Sequence, residues 1–403
     1  GAHNVDNVSY DLVKMLSADA RAEIGEIASQ SLKEGAIAQR WRESLSMVKH
    51  KDGRDPTVWG SYRVLCITSI ILKLIESMID ARISAKHARE LFIAMNQFGF
   101  QKGVSIFDCL YAAMAATGDG DKRGPRSNSP GDRFSFYLDL LQAFPRAFMP
   151  AVLVELYRSG VKGLVWWWMY NLYSEQYNTI TVGGEQGPRY RVLGLREGSP
   201  CSPRLFMIMI NRVFEIMRGK GISVGQHLDI WVGLLGFADD LSGHADSDDE
   251  VQDMLDMLDE FAEEYLLQFT GPKCGVTASL ENAAVQRQAR TYKFRCAGGV
   301  TEIHEKPKAK QLGLWHDANR SPKVHASSRS QVAPAASAVL AAAGAGTFGA
   351  GGAAEKHLVG AIWDSTVYFA TEQYPAEIAR GDKGAYKKIM QASAAGGQAL
   401  HGG

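Results

Sequence analysis

Five cysteines in 403 residues is a small number, and Cys66, Cys109, Cys201, Cys274 and Cys296 lie far apart with no Cys-x-x-Cys pair among them. That spacing excludes a disulfide framework and a zinc knuckle and fits a reducing compartment. No apolar run reaches the roughly eighteen residues that span a bilayer, and no secretory signal opens the sequence, so no membrane partner is expected. The first residue is Gly1 rather than Met, and the expectation is a segment excised from something longer. Net charge is also lacking: 44 Lys and Arg face 44 Asp and Glu. The balance is local, however. Residues 246–264 hold ten acids and no Lys or Arg, which leaves 44 bases against 34 acids elsewhere.

What is present is 46% hydrophobic residues, enough for a large core and two or three subdomains. In the acidic segment Val251, Met254, Leu255, Leu258, Phe261 and Tyr265 recur at helical spacing, so it reads as an amphipathic helix with a solvated acidic face. The bases cluster at 40–54, 86–89, 122–133, 287–295 and 306–310. Several such clusters on a chain with buried acids point to a polyanion nearby.

Apolar spacing of three and four predicts helices after Ser17, over 41–48 and over 67–83, so the first hundred residues read as mostly helical. Between them lies a polar turn at 49–56, followed by a short extended segment from Tyr62. Lys49, Lys51 and Arg63 then sit on or beside a loop, in reach of a phosphate or as plain surface charge. A Gly-punctuated aromatic loop at 96–103 leads to a helix over 105–116, and 118–133 reads as a mobile loop. A group of aromatics between Trp166 and Tyr177 repeats at helical spacing, which favours core packing over base stacking. Asn178 to Val182 and Tyr190 to Leu195 read as a hairpin closed through Gly183-Gly184. A helix follows with Ser202 as its N-cap and Pro203 at its first position. Gly194 and Gly198 would let the backbone come close to a flat or charged partner.

The rest of the chain makes sense around residues 230–245. An apolar run ends in Asp239-Asp240 and continues into Leu241-Ser242-Gly243-His244, which predicts a buried strand, a tight turn and a return strand. Two like charges about 4 Å apart repel by roughly 4 kcal/mol at an effective dielectric of 20, so the pair must share a proton, meet a cation or point into water. Asp248-Asp249 shows that the dipeptide alone says little. The apolar strand that delivers the first pair, and a third acid upstream, set it apart. Phe134, Phe136, Leu138 and Leu140 alternate with Ser135, Tyr137 and Asp139, so Asp139 ends a half-buried strand; an N-cap for a helix over 146–159 is its competing role.

The ordered set of motifs resembles the reverse transcriptase domain of non-LTR, LINE-type retrotransposons. Tyr62-Arg63 with Lys73-Leu74-Ile75-Glu76 and Arg82 is similar to the family's Tyr-Arg-Pro-Ile and the helix after it, and Asn96 to Gly103 to its Gln-Phe-Gly-Phe-Arg-x-Gly loop. Tyr137-Leu138-Asp139-Leu140 with Ala143-Phe144 resembles the first catalytic motif. The stretch from Gly194 to Pro203 resembles Gly-x-x-Gln-Gly-x-x-x-Ser-Pro, and Phe237-Ala238-Asp239-Asp240 the aromatic-Ala-Asp-Asp motif. Lys273 and Leu312-Gly313 match the lysine and the Leu-Gly hairpin that follow. The resemblance runs from Asp6 to about Asp317.

It implies an α+β right-hand polymerase: fingers over 1–133, helical, a palm over 134–317 whose antiparallel sheet carries the acids, and a helical thumb over 318–403, part of it Ala/Gly-rich. The implied activity is RNA-directed DNA synthesis from a DNA primer, an RNA template and dNTPs, inside the cell, in the nucleus or cytoplasm, with the nucleus expected from the resemblance. Asp139 and Asp239 would bridge two Mg²⁺ ions, or Mn²⁺, with Asp240 ligating or orienting, and Lys273 would protonate pyrophosphate. Lys49 or Lys51 and Arg63 would hold the triphosphate, Phe144 would exclude a ribose 2′-hydroxyl, and Gly198 and Ser199 would lie against the new base pair. Any nuclease would lie outside this chain. Glu197 stands where the family has Gln, Pro145 replaces an acid, Val64 replaces Pro and Thr270 replaces Asn. These departures leave open a decayed copy that binds nucleic acid without copying it; an RNA-dependent RNA polymerase is the other alternative, disfavoured by Phe144.

Overall fold

A computed structural model of the chain describes residues 5–317 except 7, 52, 54, 59, 60, 118–131, 225–229, 280–288 and 298. The expected thumb, the Ala/Gly-rich stretch and nearly all of the 118–133 loop lie outside the described residues. In chain order the elements begin with α1 (Tyr10–Met15), α2 (Ala18–Glu34), α3 (Gln39–Arg42), β1 (Glu43–His50), β2 (Tyr62–Ile67), α4 (Ile70–Glu90) and α5 (Ile106–Thr117). There follow β3 (Arg133–Asp139), α6 (Ala143–Arg146), α7 (Met149–Arg158), α8 (Gly163–Ser174), β4 (Gln176–Val182), β5 (Glu185–Gln186), β6 (Tyr190–Val192) and α9 (Ser202–Ile216). The remainder is β7 (Ser223–Val224), β8 (Ile230–Trp231), β9 (Leu234–Phe237), β10 (Asp240–Ala245), α10 (Asp248–Glu264), β11 (Gly275–Ser279) and two hairpins. These are β12 (Thr291–Cys296) with β13 (Gly299–His304), and β14 (Lys308–Gln311) with β15 (Leu314–Asp317).

These elements form two compact units with interleaved segments. One takes the described residues up to Phe100, then Leu140–Ile216 and Leu258–Gln268; the other takes Gln101–Asp139, Met217–Met257 and those from Phe269 onward. The fold class is α+β.

In the first unit a sheet runs β2-β1-β4-β5, with β6 also on β4, and β1 pairs parallel to β4. The sheet agrees with the extended segment read from Tyr62, which is β2, and corrects the helix read over 41–48, most of which is β1. Over 41–48 the apolar residues also alternate, and Ser44 and Ser46 lie buried, both donating hydroxyls to Asn178 Oδ1 at 3.1 and 3.0 Å; tertiary pairing overrode the helical spacing. Helices at 18–34 and 70–90 agree with the sequence, and Ser17 and Ser69 cap them by accepting from Ala20 and Leu72 N–H. The aromatic group of α8 divides: Trp168 and Tyr173 are core, whereas Trp167 is 55% exposed. The helix read over 146–159 is two pieces, α6 and α7, broken at Ala147 and Phe148.

The second unit is built on an antiparallel sheet of order β11-β3-β10-β9, against which α5 packs. Alternation in β3 predicted one wet face, yet the strand is buried on both faces up to Asp139. The reason is polar and specific. Ser135 pairs with His244 and Tyr137 with Ser242 across the strands; Ser135 Oγ meets His244 Nδ1 at 2.9 Å, and Gln311 Nε2 donates to Ser242 Oγ at 2.8 Å. Polar side chains that satisfy one another can be buried, so alternation marks the face without telling whether water reaches it.

Candidate active site

The antiparallel sheet brings three acids to one end. Asp139 is the last residue of β3, Asp240 the first of β10, and the two are direct cross-strand partners. Such partners share a face, with Cβ atoms about 4.5–5.5 Å apart. Phe237 pairs with Asp240, so Ala238 and Asp239 form a two-residue turn between β9 and β10, and Ala238 takes a left-handed φ of 59°. The apolar strand delivers the turn, as its sequence predicted, although Ile230 and Trp231 belong to a separate small ladder with β7. Asp139 does not cap a helix: α6 has Gln142 as its N-cap residue and no side-chain cap hydrogen bond.

Asp139 is occupied elsewhere. Its carbonyl accepts from Thr270 N–H at 2.8 Å, which fixes the 3-10 turn at Gly271–Lys273, and that turn returns Lys273 Nζ to both carboxylate oxygens at 2.8 Å. Burial raises the Asp239 carboxyl above the ordinary range, and Asp139 adds to this; its own backbone N–H and Lys273 oppose it. Asp240 is pushed up to about 6, by burial first and then by the charges of Asp239 and Asp139. By area Asp240 is exposed, so water tempers the burial and the repulsion is the part that persists. Among the described residues no three His, Cys, Asp or Glu side chains converge closely enough to hold a metal by themselves. The donor set nonetheless fits a hard cation: oxygen ligands only, mutually repelling, with space left for substrate phosphate and water.

The first unit holds a cleft of about 480 Å³ lined by Lys73, Phe100, Phe144, Glu197, Gly198 and Ser199 among others. Phe144 stacks on Phe206 with ring centroids 5.4 Å apart and meets Phe100 edge-on at 6.3 Å. Its carbonyl accepts from Leu195 N–H at 2.9 Å. Gly194 is needed for that contact, since a Cβ there would stand 2.2 Å from the Pro145 carbonyl oxygen. Gly198, at φ +92°, would put a Cβ 2.8 Å from the Cys66 carbonyl. Both glycines therefore admit the chain's own backbone, where the sequence suggested a partner. Ser202 is the first residue of α9 and not its cap; its hydroxyl donates to the Arg196 carbonyl at 2.8 Å.

Lys49 and Arg63 are cross-strand partners on β1 and β2, both exposed, and Lys51 follows β1 with its N–H on the Ser61 carbonyl. Burial raises the Glu197 carboxyl, while Lys51 and Arg63 hold it down, so the three share one electrostatic neighbourhood. The structure thus groups Phe144, Gly198 and Ser199 around one cleft with Lys51 and Arg63 in the field of Glu197. It groups Asp139, Asp239, Asp240 and Lys273 at the end of the other unit's sheet. The sequence reading missed Lys73 as a cleft residue and the buried Glu76 as anything but a motif letter. The signal for Glu76 was there: an acid within the stripe Leu72, Ile75, Ile79, Ile83 of α4, all of it buried.

Residues 48–315, more than half of the chain, match the sequence pattern of a family described as "Reverse transcriptase (RNA-dependent DNA polymerase)". A solved structure of telomerase from Candida albicans, in complex with a TWJ fragment of telomeric RNA, aligns at 11% identity and a TM-score of 0.44. The alignment covers 93% of this chain and 64% of that one. A likeness so distant decides nothing about this chain.

Proposed function

The chain belongs to the reverse transcriptase family, and on that premise we propose that it is an RNA-directed DNA polymerase of the non-LTR, LINE type that extends a DNA primer on an RNA template with dNTPs. The observation that carries this reading is the cross-strand pairing of Asp139 with Asp240, with Asp239 in the adjoining turn.

In this proposal Asp139 and Asp239 would hold two Mg²⁺ ions, with Asp240 as a further ligand or orienting the other two carboxylates. When bound, the ions stabilise charge on the attacking 3′-oxygen and on the leaving pyrophosphate. Lys51 and Arg63, with Lys49 beside Arg63, bind the triphosphate. Phe144, braced on Phe206, closes the space a 2′-hydroxyl would take. Gly198 and Ser199 form the wall against the base pair. Lys273 gives up its contact with Asp139 and delivers a proton to pyrophosphate as general acid. The fingers, palm and thumb assignments, and a nuclear location, belong to the same proposal.

The position of Glu197 favours a second reading. A carboxylate in the field of Lys51 and Arg63 competes with the triphosphate for those cations, as expected of a decayed copy that binds without copying. Primer extension on poly-rA with labelled dTTP and Mg²⁺ separates the two. The expected result is extension by the parent chain and none by Asp239→Ala, with salt-dependent binding of the primed template retained by both. Binding without extension by either protein would overturn the polymerase reading in favour of the second.

A further inference from the structure

Glu76 lies on α4 and is fully buried, among Leu72, Ile75 and Ile79. A carboxylate taken out of water without partners costs several kcal/mol, so its surroundings have to supply them. They come from the loop over 196–202. Ser199 Oγ donates to Glu76 Oε1 at 2.7 Å, and Cys201 Sγ donates to the Glu76 carbonyl at 3.1 Å. Arg196, 2% exposed, sends Nη1 to the Trp41 carbonyl at 3.2 Å, and its own carbonyl accepts from Ser199 N–H and from the Ser202 hydroxyl.

The Tyr173 hydroxyl also acts on the Glu76 carboxyl, while Arg196 Nε and Nη2 are buried without a hydrogen-bond partner. Burial raises the Glu76 carboxyl, while the Arg196 charge and the Ser199 hydroxyl pull it back. The loop is thus tied to one helix at a single residue, through its buried carboxylate and its carbonyl, and Ser199 is also among the residues that line the cleft, whereas Glu76 is not. The backbone has little slack of its own, since Gly198 already lies against the Cys66 carbonyl.

We propose that Glu76 is a positioning residue of the nucleotide cleft: by anchoring Ser199, it sets nucleotide affinity and base-pair discrimination without lining the cleft itself. The proposal rests on Ser199 forming the wall of the nucleotide site. Glu76→Gln keeps an oxygen acceptor for Ser199, and Glu76→Ala removes it. Ser199→Ala removes only the donor, and serves if Glu76→Ala does not fold.

The test is single-nucleotide extension on poly-rA, with kcat and KM for dTTP and misincorporation of dCTP, alongside hydrogen exchange of the peptide over 196–202. Loss of one hydrogen bond to a charged acceptor predicts a KM for dTTP raised about tenfold in Glu76→Ala and in Ser199→Ala, with kcat kept within about threefold and misincorporation raised. The double variant should be no worse than either single one, and Glu76→Gln should recover most of the loss. Faster exchange at 196–202 in Glu76→Ala, reversed in Glu76→Gln, is expected even of a protein that does not polymerise. That readout separates failure of this proposal from failure of the polymerase reading. Unchanged exchange, additive losses in the double variant, or a drop in kcat alone with KM intact in both Gln and Ala variants would overturn it.

Discussion

Replacing Lys273 by Met should tighten divalent-metal binding while slowing synthesis. Lys273 Nζ sits 2.8 Å from both oxygens of Asp139, on the carboxylate proposed to bind the ions. A unit pair with charge centres about 3.5 Å apart is worth roughly 5 kcal/mol at an effective dielectric of 20. The lysine side chain is 55% exposed, however, and Asp139 20%. Solvent and side-chain entropy reduce such pairs to about 1 kcal/mol net. An incoming cation must first displace the ammonium, so removing it should lower the Kd for Mg²⁺ or Mn²⁺ about fivefold. Electron paramagnetic resonance of free Mn²⁺, titrated against the nucleotide-free protein, measures this directly. Rate and affinity should then move in opposite directions, because the same change removes the proposed proton donor. A Kd unchanged or weakened in Lys273→Met would show that the ammonium does not hold the metal position and would refute the reasoning.

Two further outcomes follow from the sites. Asp240 has a folded-state pKa pushed from 3.8 up to about 6, so between those values the folded chain binds more protons than the unfolded one; the stability this gives is fully present below 3.8 and lost as pH rises through about 6. In chelator, Asp240→Asn should melt above the parent at pH 7.5, with the gap closing below pH 6, and a gap constant across pH would count against the charge crowding. Phe144→Val should open the space beside Phe206 and raise rUTP use relative to dTTP by about 10- to 100-fold in kcat/KM; an unchanged ratio would remove Phe144 from sugar selection.

Much of the acidic centre was legible because it rests on short-range patterns. A run of alternating residues ends at Asp139, an apolar strand ends at Phe237, and a two-residue turn follows, all written within a few neighbours. What pairs these pieces is non-local. Nothing in the chain near Asp139 announces that Thr270 holds its carbonyl and that Lys273 comes back to its carboxylate. The β1 strand failed for a related reason: Trp41, Leu45 and Val48 keep a helical spacing, and only Asn178, more than 130 residues away, explains the buried Ser44 and Ser46. The glycines misled in a third way. A missing Cβ is visible in sequence, but what fills the space is not, and at Gly194 it was the Pro145 carbonyl.

Gly243 carries one more consequence. A Cβ at this position would stand 1.9 Å from the Phe136 ring, which lies across the glycine from the neighbouring strand. Side chains alternate faces with a period of two, so sliding β10 by one residue would send Asp240 to the opposite face and set Ser242 or His244 against that ring. The glycine and the phenylalanine therefore work as a key and its ward. During folding they admit a single alignment of the two strands, and Asp139 faces Asp240 only in that one.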